Sequence, residues 1–150
     1  MMDHETTLSE ILAEKGSQVH CVEPDVMVAE AVELMNELKI GALLITHEER
    51  LAGMFTERDV LTRVVGARRN PATTPVHEVM SKTLLVVKPS TTVEDAMRIV
   101  TEKRFRHLPV MDGEQLKGMV SIGDLTRWLI RSDESYIDSL LHYISGSYPG

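Results

Sequence analysis

The sequence predicts an α+β fold in which two β-α-β-β-α repeats pack on each other with approximate two-fold symmetry. Three observations support this. Residues 19–65 and 84–130 align without a gap at an offset of 65, and eleven of the 47 aligned pairs are identical. Short apolar runs and helix-spaced apolar residues alternate in the same order in both copies. Turn-forming residues also coincide, as Pro24 with Pro89 and Gly53 with Gly118 do. One copy of about 45 residues is too short to bury its own sheet, so the two copies are expected to form one globule.

The elements of each copy follow in order. "QVHCV" and "TLLVV" read as first strands, closed by Pro24 and Pro89. Val28, Ala31, Val32, Met35 and Leu38 recur at helical spacing, as do Val93, Ala96, Met97 and Val100. Asp25 and Thr92 are the candidate caps of these helices. "GALLIT" and "HLPVM" are second strands. "HEER" and "DGEQ" are turns, with Asp112-Gly113 a hairpin signal, and "LAGMFT" and "LKGMVS" are return strands. "ERDVLTRVV" and "GDLTRWLI" close the copies as helices, and the short helical stretches "LSEIL" and "VHEVM" precede them. The expected domains are residues 8–66 and 76–131, joined by a Pro- and Thr-rich linker at 67–75. A helical tail is expected over 132–150, with Ile137, Leu140, Leu141 and Ile144 on one face.

Composition narrows the function classes. Hydrophobic residues make up 43% of the chain and charged residues 26%, as in a globular protein. No apolar run is long enough to span a bilayer, and the acidic start "MMDHETTLSE" is unlike a secretory signal. A single cysteine, Cys21, leaves no disulfide framework or thiolate zinc site and fits a reducing, cytoplasmic setting; it is expected to be a buried strand residue. A net charge of −7 and an aromatic content of 4% argue against a nucleic-acid partner.

The phrase "GMFTERD" at residues 53–59 returns as "GMVSIGD" at 118–124. Thr56-x-x-Asp59 and Ser121-x-x-Asp124 have the form of a capping box at a helix start. The same geometry suits a ligand: a helix N-terminus offers N–H groups to an anion, and a carboxylate one turn in can accept two hydrogen bonds from a cis-diol. A phosphate and a ribose together describe a nucleotide. The two uses are compatible.

The duplicated unit, the two phrases and the run "FRHLPVMDGEQLKGMVS" resemble a tandem pair of CBS domains, the regulatory module named after cystathionine β-synthase. The resemblance covers about residues 8–130. It implies a disc-like Bateman module that binds an adenosine-containing ligand in the cleft between repeats: AMP first, with ADP, ATP, NAD or S-adenosylmethionine as alternatives. It assigns the ribose hydroxyls to Asp59 and Asp124, and the phosphate to Thr56 and Ser121. It implies an adenine pocket of Leu85, Phe105 and Pro109 for one site and His20, Ile40 and Leu44 for the other, with Met54 and Met119 as further lining. The second copy carries the family's "RHLP", whereas the first has "GALL", so the two sites are expected to differ in affinity. Lys39, Arg58, Arg63, Arg104, Arg106 and His107 group near these positions and are candidate phosphate ligands, because guanidinium and ammonium groups pair with phosphate oxygens.

Other chemistry finds no support in the pattern. The six histidines form no His-Glu-x-x-His or other ligand spacing, and there is neither a P-loop nor a Gly-x-Gly-x-x-Gly turn. No motif supplies a nucleophile, so a sensor is expected rather than an enzyme. The leading expectation is a nucleotide sensor that forms a homodimer and signals to a protein target; the alternative is a ligand-independent dimerisation or interaction scaffold. Dimer contacts are expected on the helices at 60–65 and 125–130, with Trp128 as an anchor.

Overall fold

In the computed structural model, which describes residues 5–16, 19–132 and 141, the chain runs in the expected order. α1 (Leu8–Lys15) is followed by β1 (Cys21–Val22), α2 (Val28–Leu38), β2 (Ala42–His47) and β3 (Arg50–Thr56). α3 (Glu57–Asp59) continues into a π-helical segment, Val60–Val65, and a 3-10 turn follows at Val76–Glu78. The second copy supplies α4 (Val93–Lys103), β4 (His107–Asp112), β5 (Gln115–Ser121) and α5 (Ile122–Ser132). The expected tail helix lies outside the described residues.

Helical spacing decides which faces are buried. Val28, Ala31 and Met35 of α2 are buried at i, i+3 and i+7, and Val93, Ala96, Met97 and Val100 of α4 repeat that stripe. Both helices stop in the same way. Lys39 and Arg104, 65 residues apart, adopt left-handed conformations at the C-caps, with φ of 56° and 61°. Their starts differ. Thr92 caps α4 by accepting a hydrogen bond from the Asp95 amide at 3.1 Å. Asp25 does not cap α2, contrary to expectation. Met27 is the N-cap, and the first free amides, of Val28 and Ala29, donate to the carbonyls of Thr74 and Pro71 at 2.8 and 3.0 Å. With its amides already satisfied by backbone, α2 has no need of a capping carboxylate.

The chain forms two compact units that cut across the sequence repeat. One holds α1, α4, β4, α5 and β5 from Lys117 onward. Its core joins Leu8, Ile11 and Leu12 of α1 to Val93, Met97, Leu108, Val120, Leu125 and Leu129. The other holds β1, α2, β2, β3, the 57–65 helical segment and the 3-10 turn. Its core joins Val28, Met35, Leu43, Ile45, Phe55 and Val64 to Val76, Val79 and Met80. Each repeat is therefore completed by the segment that precedes the other repeat.

The first copy has a three-stranded sheet, β1-β2-β3, with β1 parallel to β2 and β2 antiparallel to β3. The second has only β4 paired with β5. The expected strand "TLLVV" is reduced to one parallel bridge, Val87 with Val110. Pro109 explains the loss. In the first copy the Leu44 amide donates to the His20 carbonyl at 3.1 Å, which helps hold β1 to β2. Pro109 occupies the matching position and has no N–H, so the ladder cannot extend toward Leu85. Cys21 also departs from expectation, because it is exposed. It lies on the edge strand β1, where alternation turns Val22 toward the core and Cys21 away from it.

The 60–65 segment, which reads as ordinary helix in the sequence, is π-wound, and the winding has a local cause. The amides of Gly66 and Arg69 donate five residues back, to Leu61 and Val64, both at 2.8 Å. A Cβ at position 66 would lie 2.9 Å from the Leu61 carbonyl oxygen and 3.0 Å from that of Thr62. Only glycine fits that turn.

Candidate functional site

Each repeated phrase spans the junction of a return strand and a closing helix, and both junctions form capping boxes. In the first, the Thr56 amide and hydroxyl donate to Asp59 Oδ2 at 2.9 and 3.1 Å, while the Asp59 amide donates to Thr56 Oγ1 at 3.3 Å. In the second, the Ser121 amide donates to Asp124 Oδ2 at 2.9 Å, and the Asp124 amide to Ser121 Oγ at 3.2 Å. The start of the preceding strand is tied to the same corner in both. The Glu57 amide donates to the Gly41 carbonyl at 3.1 Å, and the Ile122 amide to the Arg106 carbonyl at 2.9 Å. The Arg106 backbone therefore lies against the Ser121–Asp124 corner.

The glycines of the phrase let the exchanged segments approach. A Cβ on Gly53 would meet Met80 Sδ at 2.6 Å and the Ser81 carbonyl oxygen at 2.9 Å. A Cβ on Gly118 would meet the Leu12 methyl groups at 2.8 and 3.0 Å. These contacts bring two residues that sequence reasoning missed. Ser81 exchanges backbone hydrogen bonds with Met54 at 2.8 and 2.9 Å, and its hydroxyl donates to Asp59 Oδ1 at 2.9 Å. At the other corner the Lys15 ammonium donates to Asp124 Oδ2 at 2.7 Å and to the Met119 carbonyl at 2.9 Å. The 65-residue offset pairs Lys15 with Met80 and Gly16 with Ser81, so the repeat carries no signal for either.

The two carboxylates consequently sit in different electrostatic settings. Asp59 is 4% exposed, and its closest cation is Arg63, with Nε 3.7 Å from Oδ1. Arg63 spends its strongest hydrogen bond elsewhere, donating to the Met80 carbonyl at 2.8 Å. Asp124 has two cations in direct contact, Lys15 and Arg127; Arg127 Nη2 donates to Oδ1 at 2.6 Å. Burial pushes the Asp124 carboxyl up, but the Lys15 ammonium and the Ser121 amide outweigh it and hold the group below its ordinary value.

The remaining expected site residues are distributed as follows. Arg58, Lys39, Arg104 and Arg106 are exposed, and His107 is half-buried at the start of β4. Leu44 and Pro109 are buried, and so is Met54, whereas Met119 and His20 are half-buried. Ile40 packs against the core of the first-copy unit, and Leu85 and Phe105 against that of the second. Trp128, the expected dimer anchor, is half-buried and packs against the core beside Leu125 and Leu129, which share its face of α5. Among the described residues, no group of His, Cys, Asp and Glu could hold a metal ion, and no helix is long and apolar enough to cross a membrane.

Comparison with known proteins agrees with this geometry. The CBS-domain family matches at residues 8–66 and again at 76–131. The chain is 35% identical to the mitochondrial CBS domain-containing protein CBSX3 of Arabidopsis thaliana, over 95% of this chain and 74% of that one. A candidate signal-transduction protein with CBS domains from Burkholderia ambifaria superposes with a TM-score of 0.80 at 39% identity, covering 85% of this chain and 96% of its own. A hexameric CBS-CP12 protein from bloom-forming cyanobacteria superposes with a TM-score of 0.73 at 32% identity, covering 88% and 75%. Two matched repeats, each ending in the same strand–cap–helix corner, make this chain a tandem CBS-domain protein, a member of a family of regulatory modules.

Proposed function

We propose that the chain is an adenine-nucleotide sensor that binds AMP, or a related adenosine ligand, through Asp59 and Asp124 and signals to a protein target as a homodimer. One observation carries the reading. In a CBS-family chain, the carboxylate and hydroxyl suited to a ribose and a phosphate recur at the same corner of both repeats, Thr56 with Asp59 and Ser121 with Asp124. Arg106, bonded to the second corner through its backbone carbonyl and exposed, is the candidate cation for a phosphate. Ligand binding shifts the module only by the difference in its affinity for two conformations, and the output then passes to a partner in trans. Dimerisation is favoured by apolar side chains left exposed on the closing helices: Leu61 at 66%, Val65 at 64% and Ile130 at 47%.

The scaffold reading keeps one specific observation in its favour. Both aspartates already have internal partners for both oxygens, a cap amide on Oδ2 and a side chain, Ser81 or Arg127, on Oδ1, as purely structural groups would. A thermal-shift panel with AMP, ADP, ATP, NAD and S-adenosylmethionine separates the two. A ligand at 100 times its Kd adds about 2.7 kcal/mol, which raises the melting temperature of a domain this size by roughly 5–10 °C. A shift that disappears in Asp59→Ala or Asp124→Ala supports the sensor. No shift with any of the five supports the scaffold.

A further inference from the structure

We infer that Lys15 is a built-in competitor for the Asp124 carboxylate, so that the second-copy ribose site is held weaker than the first by the chain's own N-terminal helix. The inference rests on the sensor reading and concerns how that site is regulated. A cis-diol binds a carboxylate best by donating to both oxygens. At Asp124 the Ser121 amide and the Lys15 ammonium already share Oδ2, at 2.9 and 2.7 Å. An oxygen with two charge-assisted or backbone donors has no acceptor position left for a ribose hydroxyl. Bidentate binding therefore requires Lys15 to leave.

The departure is feasible because it leaves the fold intact. α1 is anchored independently by Leu8, Ile11 and Leu12, which are at most 6% exposed, and by the pairing of Glu14 with Arg131. The Lys15 side chain itself is 36% exposed, so its ammonium can exchange Asp124 for water or for a ligand. The first copy has no charged occupant in direct contact. There Asp59 Oδ2 receives the Thr56 amide and hydroxyl at 2.9 and 3.1 Å, and Oδ1 the Ser81 hydroxyl at 2.9 Å; these hydroxyls are neutral and can rotate to a ligand, and the nearest cation stands at 3.7 Å. The two aspartates thus differ by two direct cation contacts, and of these only Arg127 leaves one acceptor position free on its oxygen; Lys15 fills Oδ2 from a segment outside the repeated phrase. By linkage, whatever displaces Lys15 from Asp124 is opposed by that contact to the same degree that the contact is weakened by the ligand.

The test is calorimetric titration of adenosine and of AMP into the full chain carrying Asp59→Ala, with and without Lys15→Met. Adenosine presents the diol without a phosphate. The expected result is tighter binding of both compounds in the Lys15→Met chain, by up to about fivefold for a partly exposed pair, with Lys15→Arg remaining as weak as lysine. If Asp59→Ala does not fold, Asp59→Asn replaces it, and the same comparison is made. Unchanged affinities would overturn the inference. Weaker AMP with unchanged adenosine would also overturn it and make Lys15 a phosphate ligand instead. If neither compound binds any of these chains or the wild type, and ADP, ATP, NAD and S-adenosylmethionine also fail, the sensor reading itself falls and the inference falls with it.

Discussion

Adding one methyl group at Gly53 and at Gly118 is expected to have unequal consequences, although the two glycines occupy the same place in the repeated phrase. At Gly53 the new Cβ meets the Ser81 carbonyl oxygen at 2.9 Å as well as the Met80 sulfur at 2.6 Å. The sulfur can rotate away, but the carbonyl cannot. Ser81 is fixed by two backbone hydrogen bonds to Met54, and moving it also pulls its hydroxyl from Asp59. At Gly118 the obstacle is only the end of the Leu12 side chain, at 2.8 Å, which can change rotamer. Overpacking of a tight site costs about 1–3 kcal/mol. Gly53→Ala is placed at the upper end, with the hydrogen bonds strained in addition, and Gly118→Ala at the lower. At roughly 2–4 °C per kcal/mol for a chain of this size, calorimetry should find Gly53→Ala lowered by about 6–12 °C and Gly118→Ala by about 2–4 °C. Equal losses, or a larger loss at Gly118, would refute the distinction between a rigid backbone neighbour and a yielding side chain.

Two more outcomes follow from the same geometry. The depressed Asp124 carboxyl contributes stability that is complete above its unfolded value of about 4 and is lost as pH falls through the lower folded value. Urea unfolding measured from pH 7 to pH 2 should therefore show a steeper acid loss in the wild type than in Lys15→Met, which lacks the main ion pair; identical profiles would remove that pair from the account. Leu61→Glu, placed on the exposed apolar face of the 60–65 segment, should convert the proposed dimer to monomer in light scattering, and an unchanged mass would move the interface elsewhere.

The repeat made most of the fold legible. Helical spacing located α2, α4 and α5, and the Gly-Met and Asp positions located both capping corners. What the sequence hid has specific causes. "TLLVV" has the apolar character of a strand, but its pairing depends on the amide of a residue more than twenty positions away, and that residue is Pro109. Cys21 reads as interior because it falls in an apolar run, whereas its face is set by the register of a two-residue edge strand. Asp25 lost its capping role to carbonyls of the segment at 71–74, a tertiary contact with no local signature. Lys15 and Ser81 were invisible for the same reason. The repeat aligns each copy with its own neighbours in sequence, but each corner is completed by the segment that precedes the other copy.

That exchange of leading segments constrains how the chain is made. Lys15 meets Asp124 across 109 positions, and the core around Leu8, Ile11 and Leu12 needs Leu125 and Leu129. The buried core around Phe55 and Val64 draws only on residues up to Met80, so it can form while translation is still in progress. α1 emerges before any of its partners and must wait for the last of them. At about 5–20 residues per second, the interval is roughly 5–20 s. During that time its apolar stripe is available to chaperones and to the α1-binding surface of another copy, and growing conditions that slow elongation should favour chains whose N-terminal helix has docked on a neighbour.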